Sequence, residues 1–171
     1  MPRKVSWIPA LVLYCIATII SVITDLAGLN DIQDTRLISL IIGLPISVLA
    51  TIFTCILHYN CWQAVPIKHR RTTPGKAVGY LFIPFFNLYW LFISFPALAK
   101  GFSNYAREAK DTEIGDQSNL AIAYAVVTIF SLGFSFINGL ASVMLIASLI
   151  LFIVFYRAMV AYSNRVYAAT V

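Results

Sequence analysis

Charge is scarce in this chain. Asp, Glu, Lys and Arg make up 11% of its 171 residues, where an ordinary soluble domain carries about 25%; water is therefore not its main solvent. Acids are scarcest, seven Asp plus Glu against twelve Lys plus Arg. They fall in one short stretch with no histidine (Asp25, Asp31, Asp34) or in one polar stretch (Glu108, Asp111, Glu113, Asp116), which argues against paired-carboxylate or triad chemistry and predicts a protein that is not an enzyme. The cations give a net charge of +5 but lie between long uncharged runs, so a nucleic-acid-binding domain with a basic face is excluded. Cys15, Cys55 and Cys61 are an odd set inside apolar runs, which excludes a small secreted disulfide framework. No Gly-rich phosphate loop follows a strand pattern, and no internal repeat, low-complexity tract or soluble segment of domain length is present.

What the chain does have is uncharged length. The run Val5 to Thr24 covers 20 residues, about 30 Å as a helix, which matches the hydrocarbon core of a bilayer. It has no small-x-small cleavage site, and Tyr14 before Cys15 is too large for lipoprotein processing, so a retained span is expected. Further uncharged runs cover Leu37 to Leu57 (21 residues), Ala77 to Ala99 (23), Leu120 to Ile137 (18) and Gly139 to Tyr156 (18). Gly133, Asn138 and Gly139 offer turn chemistry between the last two, which predicts a tight helical hairpin.

The central run sets the topology. If Ala77 to Ala99 crosses, the twelve Lys and Arg divide six to six between the two sides, against the positive-inside bias. If it enters and leaves on one face, eleven gather there and only Arg36 lies opposite. Pro84, Asn87 and Pro96 interrupt this run, and a lipid-exposed span would leave backbone groups unpaired at such breaks. Beyond it, Phe95, Leu98, Ala99, Phe102, Tyr105, Ala106 and Ala109 share one helical face, with Lys100, Ser103, Asn104, Arg107 and Lys110 on the other arc, the pattern of a membrane-surface helix. Asn87 is expected to cap that helix, and Trp7 and Trp62 to sit at the cytoplasmic ends of their spans.

The fold expected is therefore an all-α integral membrane protein in one domain. Its spans cover about 5–26, 37–62, 119–137 and 139–163, and a re-entrant and interfacial amphipathic segment at about 77–110 lies between the two span pairs.

The run Pro74-Gly75-Lys76-Ala77-Val78-Gly79 followed by Phe82-Ile83-Pro84-Phe85-Phe86-Asn87-Leu88 resembles a group of small bacterial four-span membrane proteins classed as a domain of unknown function, with the pattern P-G-x-A-V-G and F-x-P-x-x-N-L. The motif covers the central quarter of the chain, and span order extends the likeness to most of it. Relatives often follow Asn-Leu with a proline, whereas this chain has Leu88-Tyr89-Trp90-Leu91 and delays its proline to Pro96. The resemblance implies a bacterial cytoplasmic (inner) membrane, four spans and no catalytic residues to carry over.

Three function classes compete. The leading expectation is an accessory subunit or scaffold with cytoplasmic termini. It would meet lipid headgroups, a protein partner or a second copy through Lys68, Arg70, Arg71 and Lys76, with Phe95, Phe102 and Tyr105 seating the surface helix and Pro84 and Asn87 forming the break. The alternative is a small oligomeric channel or facilitator, in which Thr18, Ser21, Ser47, Thr51, Thr54, Thr128, Ser131 and Ser142 line a polar path, although the same hydroxyls also permit close helix packing. The third is a membrane enzyme using Cys55-x-x-His58-x-x-Cys61, whose spacing puts three ligand types on one helix face. Three ligands on one helix close a tetrahedron poorly, and the expectation is packing, with no metal and no cofactor. Pro45, after Gly43, is expected to kink the second span.

Overall fold

The structure is a computed structural model and describes residues 4–26, 39–133 and 140–169. Among the described residues all regular structure is helical: α1 (Ile8–Leu26), a π-helical turn (Ser39–Gly43), α2 (Leu44–Ala64), a 3₁₀ turn (Ile67–His69), α3 (Pro74–Gly79), a second 3₁₀ turn (Tyr80–Phe82), α4 (Phe86–Ala109), α5 (Ser118–Gly133) and α6 (Leu140–Ala169). Three stretches, Ile8–Asp25, Ile41–Ala64 and Leu140–Ala169, are long and apolar enough to cross a membrane, and α5 adds a shorter apolar helix. Asp31, Asp34 and Arg36, and the proposed turn at Asn138 and Gly139, lie outside the described residues.

The apolar residues face outward as well as inward. On α1, Ile8, Val12, Ile16, Ile19 and Ile23 form one exposed stripe; α2 exposes Val48, Leu49, Ile52 and Ile56, and α6 exposes Val143, Ile146, Ile150 and Val154. Stripes of this extent on several helices are compatible with a multi-pass membrane protein whose outer surface meets hydrocarbon.

Side-chain bonds fix the directions of the helices. The backbone of Val5 pairs with the Asn164 amide in both senses, N–H to Oδ1 at 2.8 Å and Nδ2 to the carbonyl at 3.2 Å. Tyr14 meets Ser148 at 3.0 Å, and the Ser142 hydroxyl bonds the Asp25 carboxylate. α1 and α6 are therefore antiparallel, with the start of the first beside the end of the second. Gln117 Nε2 donates to Tyr162 Oη at 3.3 Å and Thr128 meets Ser148 at 3.2 Å, so α5 and α6 are antiparallel as well. One end of the bundle thus carries Val5, Gly115 and Asn164, together with Arg165, which is paired with Asp111 and Glu113.

The α3–α4 hairpin enters and leaves at that same end. Thr73 caps α3, its hydroxyl accepting from the Lys76 N–H at 3.3 Å, with Pro74 in the first turn where its missing N–H costs nothing. Ala77, fully buried, presents its carbonyl to Trp90 Nε1 at 2.9 Å and to Ser94 Oγ at 3.3 Å, which ties α3 to α4, while the body of α3 packs on α2. The reversal occurs at Phe85, whose φ of 62° and ψ of −39°, with the Phe86 N–H to Pro84 carbonyl bond at 2.7 Å, make a γ-turn of positive φ. α4 then returns until Glu108 meets Lys68 and His69. The hairpin occupies the slot between α2 and α5, which do not pack on each other.

Several expectations change here. The helix begins at Phe86, so Asn87 lies within its first turn and is not the cap; no side chain caps this end, and the backbone of Pro84 and Phe85 makes the break. Pro45 follows the π-helical turn directly, and Gly43 keeps helical torsions, so the helical stretch continues past the proline and its irregularity is that π-helical turn. Trp62 is 0% exposed and bonded to His58, so it is a core residue and not a ring at a membrane boundary. The apolar face of α4 is the face expected, but protein covers it: Phe95 packs against Tyr124, Phe155 and Tyr156, and Phe102 against Tyr162. Ser103, assigned to the polar arc, is buried too. A periodic stripe identifies a buried side without saying what buries it.

Candidate functional site

The α3–α4 hairpin stops partway down the slot between α2 and α5, and below its tip a cavity of about 430 Å³ remains. Leu81, Phe82, Asn87 and Leu91 form its roof, with Phe95 and Tyr124 behind. α1 contributes Thr18 and Ser21, α2 contributes Ser47, Thr51 and Thr54, and α5 contributes Thr128 and Ser131. Seven of the eight hydroxyls singled out in the sequence therefore converge on one space; the eighth, Ser142, bonds Asp25 instead. Among the described residues no Asp, Glu, Lys or Arg lines it.

The hydroxyls differ in what they offer. Ser47 and Thr51 donate to carbonyls one turn back, at 2.8 and 2.9 Å, and Ser131 donates to the Thr128 carbonyl at 2.7 Å. Their oxygens remain acceptors. Thr54 Oγ1 is buried and has no hydrogen-bond partner among the described residues. A buried hydroxyl left unpaired costs about 1–3 kcal/mol, and a ligand in the cavity would offset that cost.

Behind the cavity lies a closed polar cluster around His58, which is 1% exposed. Trp62 Nε1, which can only donate, gives its proton to His58 Nε2 at 3.1 Å. Ser94 Oγ also meets Nε2, at 2.9 Å, leaving Nδ1–H to donate to Tyr156 Oη at 3.2 Å. The ring stacks on Phe95 with centroids 4.4 Å apart. Both nitrogens are thus engaged by α2, α4 and α6, and neither is free to hold a metal. Cys61 is fully buried and Cys55 faces the cavity. Among the described residues no cluster of three or more His, Cys, Asp or Glu is placed to hold an ion.

The cations named from the sequence separate into two kinds. Arg70 turns back on α2, donating from Nε to the Val65 carbonyl at 2.5 Å and from Nη2 to the Gln63 carbonyl at 2.6 Å, and so closes the C-terminus of that helix. Lys68 bonds Glu108 at 2.7 Å, and His69 meets the other carboxylate oxygen at 3.2 Å. The hydrogen bond from Lys68 holds the Glu108 carboxyl below its ordinary range. Arg71 and Lys76 are exposed and form no ion pair among the described residues. Of the aromatic set, Phe95 and Phe102 lie in the core, while Tyr105 is half-buried edge-on to His69. Exposed Pro84 stands at the hairpin tip, and Asn87 faces the cavity.

Spacing in the sequence did not indicate this convergence, because the hydroxyls come from three helices and the roof from a fourth. The one usable signal was the number of Ser and Thr within the uncharged apolar runs. No protein-family model, curated protein or solved structure matches the chain.

Proposed function

We propose that this is a non-enzymatic protein of the bacterial cytoplasmic membrane that admits a small, uncharged, hydrogen-bonding solute to the cavity beneath the α3–α4 hairpin, as a facilitator built from the four-span unit. The observation that carries the reading is the convergence of seven hydroxyls on one space with no charged side chain among its described lining residues. An ion entering it would lose its hydration without meeting a countercharge, whereas an uncharged polyol or amide meets acceptors and donors. The proposed arrangement has α1, α2, α5 and α6 as spans, both termini cytoplasmic, and the hairpin re-entrant from that side. The eleven-to-one division of Lys and Arg, the bonding of Val5 to Asn164, and the resemblance carried by Pro74 to Leu88 support it.

A second reading, an accessory subunit or scaffold acting through the basic loop, is supported by the exposed cations Arg71 and Lys76. The apolar face of α4 adds nothing to it, since Phe95 and Phe102 are already covered.

Proteoliposomes loaded with glycerol or urea test the first reading. Solute efflux should exceed that of protein-free vesicles and fall at least about tenfold with Thr51→Trp or Ser131→Trp, both of which fill the cavity. Efflux equal to that of bare lipid, or unchanged by either substitution, overturns it.

A further inference from the structure

A second cleft, of about 310 Å³, opens on the opposite side of α4, near the end of the bundle where Lys68 and Glu108 pair. Its polar wall holds Arg71, Lys100 and Asn104, and its apolar wall Phe92, Ile93 and Ile122. Arg71 and Lys100 are exposed, and neither has a carboxylate within ion-pair distance among the described residues. Asn104 Oδ1 accepts from Arg107 Nη2 at 2.8 Å, which leaves the Asn104 amide hydrogens to donate. The acids nearby are engaged elsewhere: Glu108 by Lys68 and His69, and Asp116 by the N–H and hydroxyl of Ser118 at 2.9 and 2.5 Å. His69 and Ser118, which also line the cleft, are held by Glu108 and Asp116. The Asp116 carboxylate lies close enough to Lys100 and Arg107 for their charges to act on it. Among the described residues, the remaining unpaired polar groups of the cleft, Arg71, Lys100 and the Asn104 amide, are donors, two of them cationic. Phe92 and Ile122 beside them stay 41% and 43% exposed.

We propose that this cleft binds the phosphate of an anionic phospholipid, held between Arg71 and Lys100, with an acyl chain lying along Phe92, Ile93 and Ile122. A guanidinium matches two phosphate oxygens at once, and a lysine ammonium adds a point charge. The apolar wall distinguishes a lipid from free phosphate, which has nothing to place there. The site shares only α4 and α5 with the hydroxyl-lined cavity, and its binding test does not depend on solute passage.

The test is a titration of delipidated protein with dioleoyl-phosphatidylglycerol or dioleoyl-phosphatidylcholine, followed by native mass spectrometry. The anionic lipid should bind at least about tenfold more tightly. Arg71→Gln combined with Lys100→Gln should weaken it about 30-fold, the equivalent of two cations at about 1 kcal/mol each. Lys76→Gln, which removes the same charge outside the cleft, should change affinity by less than about twofold. Equal affinity for the two lipids, or equal losses from the Lys76 variant and the cleft pair, overturns the site. Inorganic phosphate displacing the lipid at millimolar concentration, together with no effect of Phe92→Ser or Ile122→Ser, overturns the lipid and assigns the cleft to a free anion.

Discussion

His58 joins three helices through its two nitrogens and one ring face, and it is the partner of the buried Trp62 N–H. His58→Ala leaves the Trp62 N–H without its acceptor and the Tyr156 hydroxyl without its donor, while Ser94 keeps its bond to the Ala77 carbonyl, and it opens a void beside Phe95. At about 1–3 kcal/mol for each of the two unsatisfied groups, a loss of at least about 2 kcal/mol is expected, measured as detergent-solubilised unfolding. A chelator should leave the wild-type midpoint unchanged, because both ring nitrogens are already engaged; a chelator-induced drop would reinstate the Cys55, His58 and Cys61 metal site. Phe85 is the other residue that defies a local rule. Its positive φ is strained for a side chain of this kind, at about 1–3 kcal/mol, and the ring is 88% exposed, so burial of Phe85 does not offset the strain. The Phe86 N–H bond to the Pro84 carbonyl closes the turn, and Trp90 and Ser94 hold Ala77 across it.

At the scale of elements, α4 can lie flush against the loop after α2 because Gly101 has no side chain. A Cβ there would stand 3.0 Å from Val65 Cγ1 and 3.3 Å from the His69 carbonyl oxygen. On an exposed helix Gly→Ala stabilises by about 1 kcal/mol. At Gly101 the sign should reverse, with overpacking costing about 1–3 kcal/mol. Gly79→Ala, whose Cβ meets nothing within 4 Å, serves as the control and should be neutral or stabilising in the same thermal melt. The amphipathic pattern of α4 was readable from residue 95 onward; of its seven residues Ala109 is exposed, Tyr105 is half-buried, and Phe95, Leu98, Ala99, Phe102 and Ala106 are buried. Their covering by α5 and α6 was not readable. Tyr124, Phe155 and Tyr162 lie 29 to 60 residues further along the chain, and a repeat of 3.6 residues carries no information at that separation.

For the whole molecule, the bonds between Val5 and Asn164 and between Gln117 and Tyr162 bring the start of α1, the stretch before α5 and the end of α6 to one end of the bundle. Reporter fusions at the N-terminus, near residue 114 and at the C-terminus should all score cytoplasmic. A periplasmic signal from the fusion near 114 would mean that the central hairpin crosses, and both the facilitator topology and the placement of the lipid cleft would fall with it.

Composition and run lengths indicated long apolar helices with few charges, interrupted at Pro84. Those are local properties, decided by how each residue partitions and which torsions it allows. Only the folded chain decided what each buried side touches. It covered the apolar face of α4 with α5 and α6, tied both nitrogens of His58 to Trp62, Ser94 and Tyr156, and gathered hydroxyls from three separate helices in one space beneath the hairpin. Such outcomes depend on contacts between residues distant in the chain, and no local pattern of side chains contains them.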